Sequence, residues 1–145
     1  MNDLTIGIPV YDDFDGIFFT VQSLRLYHDL DGVEILVVDN SPDSAHGKAT
    51  AKFCATTGVC YHPYDEKRGS APAKQEIFAQ AAGEWVLCLD SHVLLAPGSL
   101  DAFRAYVRAH SESTDLLHGV LVRDDLEKIS THWKIEEDGE PLWSD

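Results

Sequence analysis

An aspartate and a histidine lie one residue apart, directly after a short apolar run. Asp90 and His92 flank Ser91 and follow the sequence Trp-Val-Leu-Cys-Leu at 85–89. A carboxylate supplies a hard oxygen ligand and a neutral imidazole supplies a nitrogen ligand, so the pair can hold a divalent cation. An ordinary turn after a strand would look the same, because short ligand motifs often occur by chance. The elements around the pair decide between these two interpretations.

Apolar runs alternate with helical patterns along most of the chain. The runs lie at 4–10, 33–38, 59–63 and 85–89, and the helical patterns at 17–28, 47–57, 70–82 and 99–110. Runs this apolar are typical of strands buried on both faces, and the alternation predicts a mostly parallel α/β sheet with helices on both faces. We expect a single domain over residues 1–145, with further strands at 116–122 and 129–135.

Two helix starts carry recognisable signals. Asp15 stands just before the first helical pattern and is predicted to be its N-cap. Ser70-Ala71-Pro72 opens the third pattern, where proline is tolerated because first-turn amides have no partner inside the helix. The free amides of that third helix, with Lys74 one turn in, can bind an anion such as a diphosphate.

Composition excludes several classes of partner and location. The net charge of -14 opposes binding to nucleic acid and to anionic membranes, which are held mainly by lysine and arginine. No apolar stretch reaches the roughly 18 residues of a membrane span, and the first residues lack a signal-peptide pattern. The odd count of three cysteines, without Cys-x-x-Cys, favours a reducing, cytoplasmic location. The oligomeric state is not indicated by the sequence.

Polar residues follow each of the four predicted strands. Ligands of open parallel sheets bind beyond the carboxyl ends of the strands, so these residues are predicted to converge at one edge. Each also has a plainer interpretation as a turn or a solvated loop, because loops are usually polar. The residues concerned are Tyr11 and Asp13, then Asp39, then Lys67 to Ser70, and finally Asp90 with His92.

Four sequence blocks together resemble those of the family 2 glycosyltransferases of the GT-A type. The likeness covers residues 4 to about 100. Two blocks depart from the family pattern: Lys74-Gln75 stands where Arg-Asn is common, and Asp-Ser-His at 90–92 stands where Asp-x-Asp is usual. The Asp-x-His form is similar to that of the polypeptide N-acetylgalactosaminyltransferases. The blocks are Ile-Pro-Val-Tyr at 8–11, Glu-Ile-Leu-Val-Val-Asp-Asn-Ser at 34–41, Gly-Ser-Ala-Pro-Ala-Lys-Gln at 69–75, and Ala82 to His92.

The resemblance implies a GT-A, Rossmann-like fold and a donor site built from named residues. Asp39 would hydrogen-bond the nucleotide base, and Lys74 would approach the diphosphate. Asp90 and His92 would hold Mn²⁺ or Mg²⁺ at the diphosphate oxygens. The residues expected at the nucleotide-sugar site are Pro9, Tyr11, Asp13, Asp39, Gly69, Lys74 and Asp90, with Pro9, Tyr11 and Asp13 bordering base and ribose.

The implied activity is metal-dependent transfer of a hexosyl or N-acetylhexosaminyl group. The donor would be a nucleotide-diphosphate sugar, expected to be UDP-linked, bound by residues 1 to about 100. The acceptor is not indicated, the acceptor part is short or truncated, and Asp124, Asp125, Glu136 and Glu137 are equivalent candidates for a catalytic base. A nucleotide-binding module without turnover and a flavodoxin-like signalling domain using Asp39 are the alternatives.

Overall fold

A computed structural model describes residues 3–114, 116–119, 121–122, 133–135 and 141–143. Contacts divide the chain into two compact units, Met1–Ala109 and His110–Asp145, and each is described by itself.

The first unit alternates strands and helices, which confirms the predicted α/β class. The strands are β1 (Leu4–Val10), β2 (Val33–Asp39), β3 (Cys60–Pro63) and β4 (Trp85–Cys88). The helices are α1 (Phe14–Tyr27), α2 (Ala45–Thr57), α3 (Ser70–Gln80) and α4 (Ser99–Ala109).

The four strands form one parallel sheet in the order β3-β2-β1-β4. The chain runs outward from β1 through β2 to β3 and then returns to the other side of β1 to form β4. The strand order therefore reverses between β1 and β4, and the crevice beyond their carboxyl ends is where such sheets bind ligands. In register, Val10 of β1 lies beside Asp39 of β2, and Gly7 of β1 lies beside Cys88 of β4.

Helices cover the two faces of this sheet unequally. One core contains β1 residues such as Ile6 and Ile8 together with side chains from α1, α2 and α4. The other core is smaller and holds Ile77 of α3 against the opposite face. A Cβ at Gly7 would collide with the Ile77 side chain, so the lack of a side chain there lets α3 lie directly on β1.

The second unit contains a small antiparallel pair, β5 (Trp133–Ile135) with β6 (Pro141–Trp143). The strand predicted over 116–122 was wrong for the described part of that range: residues 116–119 and 121 are not in a strand, and Val122 is an isolated bridge. Of the strand predicted over 129–135, only 133–135 are described, and they lie in β5. Among the described residues, no helix is long and apolar enough to cross a membrane.

Candidate functional site

The start of α1 contacts the residues that follow β4. Asp13 is the N-cap of α1, and its Oδ1 accepts a hydrogen bond of 2.9 Å from the Gly16 amide. Its Oδ2 accepts a second bond, also 2.9 Å, from the Ser91 hydroxyl. The prediction that Asp15 is the cap was wrong. Asp15 lies in the first turn of α1, where a carboxylate still interacts favourably with the positive end of the helix dipole.

The turn that carries Asp90 and His92 is hydrogen-bonded on several sides. The Leu89 amide donates to the Gly7 carbonyl at 2.9 Å, and the Val93 amide donates to the Asp90 carbonyl at 3.1 Å. The buried Thr20 hydroxyl of α1 donates to the Ser91 carbonyl at 2.8 Å. The two candidate ligands therefore project from a turn whose backbone is fixed by β1 and α1.

Asp90 forms an ion pair with Lys74 of α3. Their Oδ1 and Nζ atoms are 3.2 Å apart, and the side chains are 50% and 41% exposed. His92 is also exposed. The structure therefore brings together a carboxylate and a cationic side chain from the first half of α3 at one solvent-accessible place.

The donor set fits a cation shared with a ligand better than a closed metal cage. In the described part of the chain, no group of three His, Cys, Asp or Glu side chains lies close enough to hold a metal. Magnesium-type sites commonly use one or two protein ligands and complete their coordination with substrate phosphates and water. Asp90 with His92 offers a donor set of that kind.

Asp39 ends β2 in a buried environment in which both carboxylate oxygens accept hydrogen bonds. It is 1% exposed, its Oδ1 accepts from the Ser41 amide, and its Oδ2 accepts from the Tyr61 hydroxyl, both at 2.8 Å. Burial and the hydrogen bond to Asp39 raise the pKa of Tyr61 well above its ordinary range. Burial, followed by the charge of Asp39, raises the pKa of the Cys54 thiol to about 11.

Asn40 fastens the loop that carries Lys67 and Arg68. Its Nδ2 donates to the carbonyls of Tyr64 and Lys67 at 2.7 and 2.8 Å. Its Oδ1 accepts from the Gly69 amide at 2.9 Å. The loop that leads into α3 is therefore shaped from inside by a single buried amide, with the two cationic side chains exposed outside it.

Hydrogen bonds tie neighbouring strands together near the carboxyl edge of the sheet. The Asn40 amide donates to the Val10 carbonyl at 2.9 Å, which ties the end of β2 to the end of β1. Pro9 is half-buried in β1 and Tyr11 is exposed just beyond it. The parallel sheet brings the carboxyl ends of its strands to one edge, whereas the role of each residue toward a ligand stays a prediction. The candidate bases Asp124, Asp125, Glu136 and Glu137 lie outside the described residues.

Three residues of this edge were not singled out as site residues from the sequence. Thr20 lies inside a helical pattern, where nothing distinguishes a hydroxyl that bonds a distant turn. Asn40 has the composition of a turn, and that local signal could have pointed to an amide bonding nearby backbone. Ser91 could have been noticed because it separates the two candidate ligands.

Comparisons with known proteins agree with this architecture. Residues 5–141 match the family model described as glycosyl transferase family 2. The mannosyltransferase PcManGT from Pyrobaculum calidifontis, solved with GDP-Man and Mn²⁺, matches with a TM-score of 0.63 and 22% identity over 72% of this chain and 32% of its own. S. aureus TarS 1-349, solved with UDP-GlcNAc, matches with a TM-score of 0.63 and 20% identity over 77% of this chain and 32% of its own.

At these identities the solved structures show the shared GT-A fold. The chain spans about a third of the length of each of the two proteins. No curated protein sequence matches it significantly.

Proposed function

Because the chain belongs to glycosyl transferase family 2, we propose that it binds a nucleotide-diphosphate sugar and transfers the sugar to an acceptor. The observation that carries the proposal is the ion pair of Asp90 with Lys74 beyond the carboxyl ends of β1 and β4, at the point of strand-order reversal. This is the position at which parallel sheets bind nucleotides. A carboxylate can hold a cation and an ammonium group can neutralise phosphate oxygens, so this pair is suited to a ligand that brings a diphosphate and a cation together.

Asp90 and His92 are proposed to hold a divalent cation. A nitrogen ligand beside one carboxylate favours Mn²⁺ over Mg²⁺. When bound, the cation would act as a Lewis acid that stabilises the charge of the leaving nucleoside diphosphate. The GDP-Man and Mn²⁺ bound in the Pyrobaculum mannosyltransferase support this choice of cation.

The side chains around the crevice are proposed to bind the remainder of the donor. Lys74, in the first half of α3, would neutralise the diphosphate, and Gly69 would border it. Tyr11, exposed beyond β1, would lie against the base or ribose beside Pro9. Asp13 and Asp39 already accept protein hydrogen bonds with both oxygens. Each would therefore contact the nucleotide only through its remaining lone pairs.

The donor is proposed to be UDP-linked and to carry a hexosyl or N-acetylhexosaminyl group. TarS was solved with UDP and with UDP-GlcNAc, and the mannosyltransferase with GDP-Man. Both nucleotides therefore belong in the first test. The similarity of Asp-Ser-His at 90–92 to the metal motif of the polypeptide N-acetylgalactosaminyltransferases stays a prediction.

Calorimetry with UDP and with GDP, in the presence and absence of Mn²⁺, tests the proposal. We expect UDP to bind without metal and to bind more tightly with Mn²⁺, and Asp90→Ala should weaken the binding measured with Mn²⁺ by about 100-fold or more because the cation loses its carboxylate. Asp101→Ala is the matched control, since it removes an exposed acidic charge from α4. Failure of the wild-type protein to bind either nucleotide would contradict the proposal.

Turnover assays with UDP-sugars and GDP-mannose then separate an enzyme from a binding module. Release of nucleoside diphosphate or a transferred sugar supports the transferase. Binding of the donor without either product would instead identify a nucleotide-sugar-binding module.

A further inference from the structure

Ser91 is buried, although both of its neighbours are exposed. It is 7% exposed, whereas Asp90 and His92 face solvent. The centre of the candidate metal motif is therefore an internal residue, and its contacts determine how the motif is held.

Every described hydrogen bond of Ser91 to a side chain comes from the first helix or its cap. Its hydroxyl donates to Asp13 Oδ2 at 2.9 Å, and its carbonyl accepts from the Thr20 hydroxyl at 2.8 Å. Thr20 lies 71 positions earlier in the chain, is 1% exposed, and also approaches the Val93 carbonyl at 3.3 Å. Both Thr20 contacts therefore end on the turn that carries the candidate ligands.

Gly16 lets the helix and the turn come this close. A Cβ at this position would collide with Asp13 Oδ2 and with the Ser91 carbonyl oxygen. The first turn of α1 therefore packs against the turn after β4 without space for a side chain between them.

We infer that Thr20 and Ser91 are positioning residues that hold Asp90 and His92 in a cation-binding arrangement. The inference rests on the proposed function. A turn anchored through its central residue presents the side chains on either side of that residue with a fixed backbone, so less order must be imposed when the cation binds. Removal of partners outside the ligand shell typically weakens metal binding by 10- to 100-fold.

Thr20 is a better test position than Asp13. Asp13 also caps α1 through Gly16, so its loss would change the helix as well as the turn. Thr20→Val removes the hydroxyl while it keeps the branched shape, and Thr20→Ser keeps the hydroxyl. Ser91→Ala removes the bond to Asp13 from the other side.

Two affinities are measured for each variant: that for Mn²⁺ with UDP present, by electron paramagnetic resonance, and that for UDP without metal, by calorimetry. We expect Thr20→Val and Ser91→Ala to raise the Mn²⁺ dissociation constant about tenfold, with metal-free UDP affinity unchanged. Thr20→Ser should stay near the wild-type values. Thr57→Val is the matched control, because its hydroxyl bonds the Phe53 carbonyl at the far end of α2.

The outcomes separate this inference from the proposed function. Unchanged Mn²⁺ affinity in Thr20→Val and Ser91→Ala, with binding lost in Asp90→Ala, overturns the inference and leaves the function standing. An equal loss of Mn²⁺ and metal-free UDP affinity also overturns it, because the residues then serve the fold in general. If Thr20→Val does not fold, Ser91→Ala decides the question. Absence of Mn²⁺ and UDP binding in the wild-type protein overturns both.

Discussion

The carboxyl ends of β2 and β4 each place an aspartate at the same edge of the sheet, but in opposite environments. Asp39 is 1% exposed and accepts hydrogen bonds from Ser41 and Tyr61. Asp90 is 50% exposed, and its described partner is the Lys74 ammonium at 3.2 Å. One carboxylate is enclosed by protein donors and the other meets solvent.

The difference distinguishes a carboxylate that is satisfied mainly by protein donors from one whose oxygens reach solvent. Burial of a charge is costly unless its oxygens are satisfied, and Asp39 meets that requirement with protein groups. Asp90 keeps oxygen lone pairs directed to solvent, where a cation can reach them. Substitutions of residues around each carboxylate test this difference.

The largest contrast is expected in the free energy of unfolding. Asp39→Ala should lower it by about 2–4 kcal/mol, because the Ser41 amide and the Tyr61 hydroxyl would lose a buried charged acceptor. Asp90→Ala should lower it by less than about 1 kcal/mol, since its ion pair is half exposed. Urea denaturation of both variants at neutral pH measures the two values. Equal losses would remove the distinction between the two regions.

The next largest effect is expected when the loop at 64–69 loses the hydrogen bonds that hold it. Asn40→Ala deletes the donor and acceptor that hold this loop, and we expect tryptic cleavage after Lys67 or Arg68 to become about tenfold faster. Gln75→Ala is a control that removes an exposed amide from α3. Mass spectrometry of timed digests gives the rates. Unchanged cleavage would mean that the loop is held by contacts other than Asn40.

The environment of the Tyr61 phenol should change how the free energy of unfolding depends on pH above about pH 10. Burial and this bond raise the pKa of Tyr61 above its ordinary value of about 10. The folded protein therefore holds the phenol proton more tightly, and this contribution is complete below about pH 10 and lost as the pH rises further. Between about pH 10 and pH 11, the wild-type protein should lose up to about 1 kcal/mol more than Tyr61→Phe. Urea denaturation at each pH gives the free energy of unfolding. An equal loss for the two proteins over this pH range would show that Asp39 does not perturb the phenol.

The smallest effect is expected for Lys74→Met. Both members of its ion pair are substantially exposed, so loss of the pair should change the free energy of unfolding by about 0.5 kcal/mol or less. Any difference from the wild-type protein should vanish at high salt, which screens exposed charges. Lys52→Met, on the exposed surface of α2, is the control. A larger loss that resists salt would place Asp90 among the structural residues beside Asp39.

The strands of the sheet were predictable because each is an apolar run bounded by turn residues. Their observed bounds differ from the predicted ones by at most one residue at either end. The N-cap of α1 was not predictable in the same way, because Asp12, Asp13 and Asp15 all have capping side chains. Asp13 is the one that also bonds Ser91, 78 positions later, and local sequence does not report that contact.

The second unit shows where local patterns stop being informative. The apolar range 116–122 has strand-forming composition, yet its described residues are not in a strand, because strand preference depends on a pairing partner. β6 was not predicted, since three residues that begin with Pro141 carry no periodicity. The different environments of Asp39 and Asp90 were not predictable for a similar reason, because each residue simply follows an apolar run in the sequence.

The position of β4 beside β1 also sets the order of events during synthesis. β4 pairs with the first strand of the chain, in the register Leu4 to Trp85 and Gly7 to Cys88. β1, β2 and β3 emerge from the ribosome earlier and can pair among themselves, since their partners are already present. The carboxyl edge is complete only when β4 pairs with β1, which lies far away in the sequence. Contacts between residues far apart in sequence form slowly. A nascent chain therefore completes this edge of the sheet late, after three of the four parallel strands have been made.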